Sequence, residues 1–227
     1  MAYQMGTGHG CCAGPATQSK IGDIVTEASI GCLPAYVDPT SRIFGDVRLE
    51  QDCSLWPYAV VRSERGYVRI GKCASVQDHA MIHIGWNDPT IIGDYCTVGH
   101  RVVLHGCTLK PGCLIGIGAT IMERCVIGHG SIVAAHSFLP AGTIIPPNSL
   151  VMGTPGRVTR VVDKLQGNII DALLYRENAR AYATGNHRVW EIAEMALLAE
   201  EAEAILAREH RQWIEHGMPA SCSTDEE

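Results

Sequence analysis

The sequence predicts a parallel β-helix followed by α-helices, and two periodicities carry that prediction. Between residues 43 and 151, aliphatic residues recur every six positions, as at Ile115 and Ile121. The residue four places after each aliphatic is nearly always small, as at Ala119 and Cys125. A six-residue self-similarity is typical of a parallel β-helix, in which three hexads, about eighteen residues, close one triangular coil. Towards the C-terminus the apolar residues change to the 3.6-residue period of α-helices.

These patterns divide the chain into four predicted segments. We expect a flexible, glycine-rich N-terminal segment over residues 1–22, the β-helix over 23–157, C-terminal helices over 158–217 and a disordered polar tail over 218–227. Within the third segment, one helix is expected from about residue 163 to 183 and a second from about 187 to 216, separated by a Gly-Asn break. The second helix is expected to act as a brace, packed on the β-helix or across a subunit edge, and the alternative is a docking surface for a partner.

The hexad period is broken at two places where loops are expected. Three extra residues lie between Val61 and Ile70, and four lie between Ile82 and Ile92. The predicted excursions therefore fall around residues 63–68 and 85–89. Loops on a regular scaffold often carry functional residues.

Three histidines have positions in the repeat that indicate a metal site. His83 and His105 each follow a core aliphatic by one residue, so they should occupy equivalent positions on one face, one coil and roughly 4.8 Å apart. His100 follows its aliphatic by two residues on another face, so a second chain would have to bring it to the same ion. A closed three-fold ring would give three equivalent sites. Three neutral imidazoles suit Zn(II), or a similar ion such as Fe(II) or Co(II).

The same phase places charged residues beside these histidines. Arg62 should lie directly under His83, and Asp78 should lie under His100. A carboxylate below a ligand histidine can orient the imidazole.

The stretches VQDHAMIHIG and IGDYCTVGHRVVLHGC, within residues 43–182, resemble the gamma-class carbonic anhydrases. The resemblance implies a left-handed parallel β-helix that assembles as a homotrimer. It implies that His83 and His105 of one subunit and His100 of its neighbour are the metal ligands. It further implies that Arg62 and Asp78 form a structural ion pair at the trimer contact.

The resemblance also implies auxiliary catalytic residues. Gln77 matches a hydrogen-bond partner of metal-bound solvent, and Asn178 and Tyr182 match residues of a C-terminal helix that approaches the pocket. Glu64 stands where the family usually has aspartate, and Arg65 stands where its best-studied members have a further acid. The loop after His83, which carries a proton-shuttle glutamate in those members, is short here and holds only Asp88.

The expected activity is reversible hydration of carbon dioxide to bicarbonate by a metal-bound hydroxide at a subunit interface. Gln77 would orient the nucleophile, and Tyr182 or Asn178 would position the substrate. One alternative keeps the metal site but acts as an acyl-CoA thioesterase or accessory protein, and another is a non-catalytic hexapeptide scaffold subunit. A hexapeptide acyltransferase, which would need only one histidine as general base, is the remaining alternative.

The amino-acid composition limits the classes of binding partner and the cellular compartment that we expect for this protein. The net charge of −6 disfavours nucleic-acid binding, and no apolar run approaches a membrane span. Neither a secretory signal nor a need for disulfides is visible among the ten cysteines, which indicates a cytoplasmic protein. Four cysteines fall in the small-residue position of the hexads and should be buried: Cys53, Cys96, Cys113 and Cys125.

Overall fold

The computed structural model describes residues 34–191 and 194–215. It confirms the predicted repeat architecture: a parallel β-solenoid of about six turns is followed by two helices. The predicted flexible segment 1–22 and the tail 218–227 lie outside the described residues. The handedness and the homotrimer expected from the family resemblance remain predictions.

Most of the strands are only two or three residues long, as hexads require. In chain order, the strands are β1 (Tyr36–Val37), β2 (Arg42–Leu49), β3 (Ser54–Leu55), β4 (Val60–Ile70), β5 (Ser75–Val76), β6 (Met81–His83), β7 (Thr90–Ile92), β8 (Thr97–Val98), β9 (Val103–His105), β10 (Thr108–Leu109), β11 (Leu114–Ile115), β12 (Thr120–Ile121), β13 (Val126–Ile127), β14 (Ile132–Val133), β15 (Phe138–Leu139), β16 (Ile144–Ile145), β17 (Ser149–Gly153) and β18 (Gly156–Val161). Strands β2 and β4 are longer than the hexad strands.

The strands stack into three parallel columns. One column is β1-β3-β5-β8-β11-β14-β17, and the other two, β6-β9-β12-β15 and β7-β10-β13-β16, meet at the long strand β4. The start of β4 pairs with β6 and its end pairs with β7. The excursion predicted around residues 63–68 is therefore an extended corner inside one strand. Gly45 of β2 is needed beside this corner, because a Cβ there would collide with the carbonyl oxygen of Ser63.

The solenoid interior is a column of aliphatic side chains in the predicted phase. Ile82 pairs with Leu104, and Val98 pairs with Ile115, in adjacent parallel strands. Burying each such side chain contributes roughly 1.5–3 kcal/mol. The four cysteines predicted for the small-residue position are buried and free, as is Cys107.

Two helices pack outside the solenoid. Helix α1 (Leu165–Ala183) lies against β3, β5 and β8, and helix α2 (Met195–Glu215) packs on α1. Arg176 of α1 forms a two-pronged ion pair with Glu201 of α2, at 2.6 and 2.8 Å. A second apolar cluster joins both helices to the solenoid through Cys73, Tyr95, Leu165, Ile169, Ala172, Leu173, Leu198, Ala202, Ile205 and Trp213.

The C-terminal part differs from the sequence expectation in two ways. Strand β18 pairs antiparallel with β17, so a hairpin precedes the first helix. The second helix begins at Met195 rather than near residue 187, and a short 3-10 turn, Val189–Glu191, comes before it. β-Branched and aromatic residues such as Val189 and Trp190 lose side-chain freedom in a helix, which favours this later start. In the part of the chain that the structure describes, no helix has the length and apolar character needed to cross a bilayer.

Candidate metal centre

The centre of the candidate site is a pair of stacked histidines. His83 ends β6 and His105 ends β9, and the two residues are partners in adjacent parallel strands. Their ring centroids are 5.0 Å apart and the rings are tilted by 55°. Both side chains are partly buried, at 23% and 27% exposed. The predicted register is confirmed, and it brings two imidazoles close enough to approach one ion.

A carboxylate from the β4 corner closes one side of this pair. Glu64 Oε2 lies 2.9 Å from His83 Nε2, and its other oxygen accepts a hydrogen bond from Arg62. Burial raises the pKa of Glu64, but the hydrogen bond with His83 and the charge of Arg62 outweigh it and lower the pKa. Glu64 therefore stands as a carboxylate directly at the imidazole.

A second carboxylate lies on the other side of the pair. Glu123 Oε1 is 3.0 Å from His105 Nδ1. The two atoms are not aligned for a hydrogen bond, so His105 Nδ1 is a buried nitrogen without a hydrogen-bond partner among the described residues. A buried polar atom without a partner is costly, which is consistent with a ring held in place for a ligand.

The third histidine lies at a different edge of the solenoid. His100 follows β8, its side chain is 43% exposed, and its Nδ1 lies 2.9 Å from Asp78 Oδ2. Within residues 34–191 and 194–215, no group of three or more His, Cys, Asp or Glu side chains is close enough to hold a metal ion. One described chain thus offers two neighbouring imidazoles. The donor set fits a divalent ion such as zinc if a further nitrogen comes from a second copy.

Arg62 and Asp78 each have a partner within the chain. Arg62 is in register with His83 and binds Glu64, whereas Asp78 lies against His100. The ion pair between Arg62 and Asp78 would have to form between two copies, and it stays a prediction.

Three of the predicted auxiliary residues, Gln77, Asn178 and Tyr182, lie on the α1 side of the solenoid, whereas Glu64 lies at the histidine pair. Gln77 follows β5 and is buried, and Asn178 of α1 is also buried. Tyr182 packs edge-on against Trp56, with ring centroids 5.0 Å apart, and lies 4.5 Å from the His187 ring. These three residues share the face that carries Asp78, rather than the strand column of the histidine pair.

Sequence reasoning missed Tyr175, which connects α1 to Gln77. Burial raises the pKa of Tyr175, as do the charges of Asp78 and Asp171, while a hydrogen bond with Gln77 lowers it. The phenol is therefore neutral at physiological pH and lies near the Gln77 amide. Its helical spacing from Asn178 and Tyr182, three and seven residues, could have identified it.

Comparison with known proteins agrees with the repeat fold. Residues 106–141 match the family described as bacterial transferase hexapeptide (six repeats). The crystal structure of a hexapeptide transferase family protein from Anaplasma phagocytophilum superposes with a TM-score of 0.55 at 31% identity, covering 66% of this chain and 91% of that one. The solenoid thus defines a hexapeptide-repeat protein.

Two curated relatives narrow the class. A probable carbonic anhydrase of Methanocaldococcus jannaschii is 49% identical over 140 residues, which cover 62% of this chain and 85% of the relative. The mitochondrial gamma carbonic anhydrase 1 of Arabidopsis thaliana is 30% identical over 196 residues, which cover 83% of this chain and 71% of the relative. The chain belongs to the gamma-class carbonic anhydrase family.

Proposed function

We propose that this protein catalyses the metal-dependent, reversible hydration of carbon dioxide to bicarbonate at sites between the subunits of a left-handed homotrimer. The in-register pair of His83 and His105 is the observation that carries the proposal. The separate edge position of His100 supports a site shared between two copies, because the described residues of one chain bring no third imidazole to this pair.

The proposed ligands are His83 and His105 of one subunit and His100 of its neighbour. Zinc is the expected ion, and Fe(II) or Co(II) would also suit imidazole nitrogen. A divalent cation there would supply the Lewis acidity that makes hydroxide available near neutral pH.

The chain's own carboxylates would orient the ligands and handle protons. Glu64 holds the His83 ring through Nε2, and Arg62 holds Glu64. If His83 Nε2 binds the metal ion, its hydrogen bond with Glu64 Oε2 is broken. Glu64 Oε2 could then accept a proton from a water molecule close to the metal centre. The protein would have to move one proton to buffer in each turnover, and a carboxylate beside the imidazole can do so.

The polar residues on the α1 side would shape the substrate pocket. The Tyr175 phenol lies beside the Gln77 amide and would help to orient it toward the substrate. Asn178 and Tyr182 would position carbon dioxide from the same helix. We further propose that the protein works in the cytoplasm, because all six cysteines among the described residues are free and buried.

Stopped-flow hydration assays test this function. Protein purified without oxygen is loaded in turn with zinc, cobalt and iron, and compared with His100→Ala. A matched control is His136→Asn, which changes an exposed histidine in another corner. We expect metal-dependent hydration that disappears with His100→Ala and persists with His136→Asn. Full metal occupancy without hydration would overturn the proposal and would make acyl-CoA thioesters the next substrates to assay.

A further inference from the structure

An arginine and a tryptophan form an exposed pair beside the candidate metal centre. The guanidinium carbon of Arg65 lies 5.0 Å from the centroid of the Trp86 ring. Arg65 comes from the β4 corner, directly after Glu64, which contacts His83. Trp86 comes from the loop that follows His83, and 77% of its surface is exposed.

The acidic side chains around the centre are all engaged with other groups. Glu64 contacts Arg62 and His83, Glu123 lies 3.0 Å from His105, and Asp88 lies 3.4 Å from Arg124. No carboxylate among the described residues contacts Arg65. Its guanidinium instead lies over the face of the Trp86 ring. Arg65 therefore presents a positive charge with unused N–H donors next to the centre.

The loop that carries Trp86 is anchored by its backbone. Gly85 N–H donates to the Asp88 carbonyl oxygen at 2.8 Å. The Thr90 hydroxyl donates to the His83 carbonyl oxygen and accepts the Gly106 N–H at 2.9 Å. These bonds tie the loop to both histidine strands, so the backbone that carries the indole is held in place before any ligand arrives. Such preorganisation lowers the entropic cost of binding.

We propose that Arg65 and Trp86 form a docking site for a planar oxyanion, bicarbonate, at the entrance to the metal centre. The idea rests on the proposed function, since bicarbonate is the anion of that reaction. A guanidinium matches the two oxygens of a planar oxyanion with two parallel N–H donors. The Trp86 ring backs the guanidinium and limits its orientations. An acid at position 65 would instead repel the anion.

The size of the effect follows from the type of contact. Charge-assisted hydrogen bonds in a partly exposed site support an expectation of about tenfold weaker bicarbonate binding in Arg65→Gln. A contact that is made only with bound bicarbonate leaves the transition state unchanged. The equilibrium constant also fixes the ratio of kcat/KM for hydration to kcat/KM for dehydration, so one value cannot change without the other. We therefore expect kcat/KM for carbon dioxide hydration to stay within about twofold, and product inhibition by bicarbonate to weaken.

The chain offers a matched control. Arg48 also lies over an aromatic ring, with its guanidinium 4.1 Å from the Tyr67 centroid, but Asp46 neutralises it at 2.8 Å. Arg48→Gln removes the same charge from a similar exposed pair. Arg65→Lys keeps the charge but loses the two-donor fork, so it should bind bicarbonate with intermediate strength. Trp86→Leu should weaken binding less than Arg65→Gln.

The experiment is a titration of full-length protein with carbon-13 bicarbonate, followed by NMR line broadening, on metal-loaded and chelator-treated samples. We expect Arg65→Gln to raise the dissociation constant about tenfold in both samples, and Arg48→Gln to leave it unchanged. Equal effects of the two substitutions, no effect of Arg65→Gln, or no binding by the metal-free wild type would each overturn the proposal. Hydration is assayed separately. Bicarbonate binding that depends on Arg65, without hydration activity, would support the docking site and contradict the proposed function. Hydration activity without Arg65-dependent binding would support the proposed function and contradict the docking site.

Discussion

His83 and His105 are partners across one step of the solenoid, with ring centroids 5.0 Å apart. Backbone hydrogen bonds between β6 and β9 set this spacing, so it does not depend on a flexible loop. A binding pair held by a sheet is more rigid than one held by loops. Because His100 emerges at another edge of the solenoid, substitutions of His100 test whether two subunits share the site as well as whether His100 binds the metal ion.

Mixing two inactive variants should restore activity. His83→Ala retains His100, and His100→Ala retains His83, so a site built from one subunit of each kind is complete. After subunit exchange of an equal mixture, we expect about a quarter of the wild-type hydration activity, because random assembly makes about a quarter of the interfaces intact.

Subunit exchange is checked by native mass spectrometry of the mixture. A mixture of His83→Ala with His105→Ala is the control and should stay inactive, because both missing ligands come from the same side. Mixed trimers without recovered activity would contradict the shared site.

Replacing Glu64 should weaken the centre without unfolding the protein. Glu64→Gln keeps the size of the side chain but removes the charge that holds Arg62 and His83. In the metal-loaded protein Glu64 is proposed to accept a proton, and the amide of glutamine cannot take over that role. We therefore expect a fall of about tenfold or more in hydration at full metal loading.

Glu50→Gln is the matched control for that substitution. Glu50 is a similarly exposed carboxylate that binds Arg69 at 3.1 Å, away from the histidine pair. An equal loss of hydration in both variants would show that the effect is not specific to Glu64.

A cavity in the aliphatic column should destabilise the solenoid strongly. Ile121 is fully buried and pairs with Leu104 and Leu139 in neighbouring coils. Ile121→Ala is expected to lower the free energy of unfolding by about 2–5 kcal/mol, measured by denaturant titration. Ile144→Ala removes a half-exposed isoleucine from an outer face and should cost about 0.5 kcal/mol or less.

Acid should loosen the contact between α2 and the solenoid. Burial, and then the nearby charge of His210, lower the pKa of His129 below its ordinary value of 6.5. The unfolded chain therefore binds a proton more readily than the native one, so the free energy of unfolding should fall as pH drops below about 6.5. Above that pH both states are neutral at His129 and the effect vanishes.

The measurement is denaturant unfolding between about pH 7.5 and 5.5. His129→Asn should flatten the pH dependence even if it changes the overall stability, whereas the exposed His136→Asn should not. The same slope in His129→Asn and wild type would rule out this titration as the cause.

The repeat period predicted most of what positions the centre. Each hexad places one aliphatic inside and fixes where the next residue points, so the register of His83 with His105 and of Arg62 with His83 followed from counting alone. A solenoid allows this because each coil contacts only its neighbours.

The other contacts around the candidate centre each involve a residue that lies outside the six-residue repeat. The extended corner of β4 determines that Glu64 reaches His83 and that Arg65 reaches Trp86, and no hexad phase applies there. The contact of Tyr175 with Gln77 depends on how α1 docks on the solenoid, which is a matter of tertiary packing. The β17–β18 hairpin reverses the chain at a place where the sequence indicated only an end.

The β17–β18 hairpin also covers the last parallel strand of one column of the solenoid. A parallel stack finishes with a strand whose free N–H and C=O groups invite the next strand, as in a growing fibril. Strand β18 covers this position on one column with a strand of opposite direction, and it presents the exposed Arg157 and Arg160 to solvent. A second molecule therefore cannot continue the parallel ladder directly from β17 on that column.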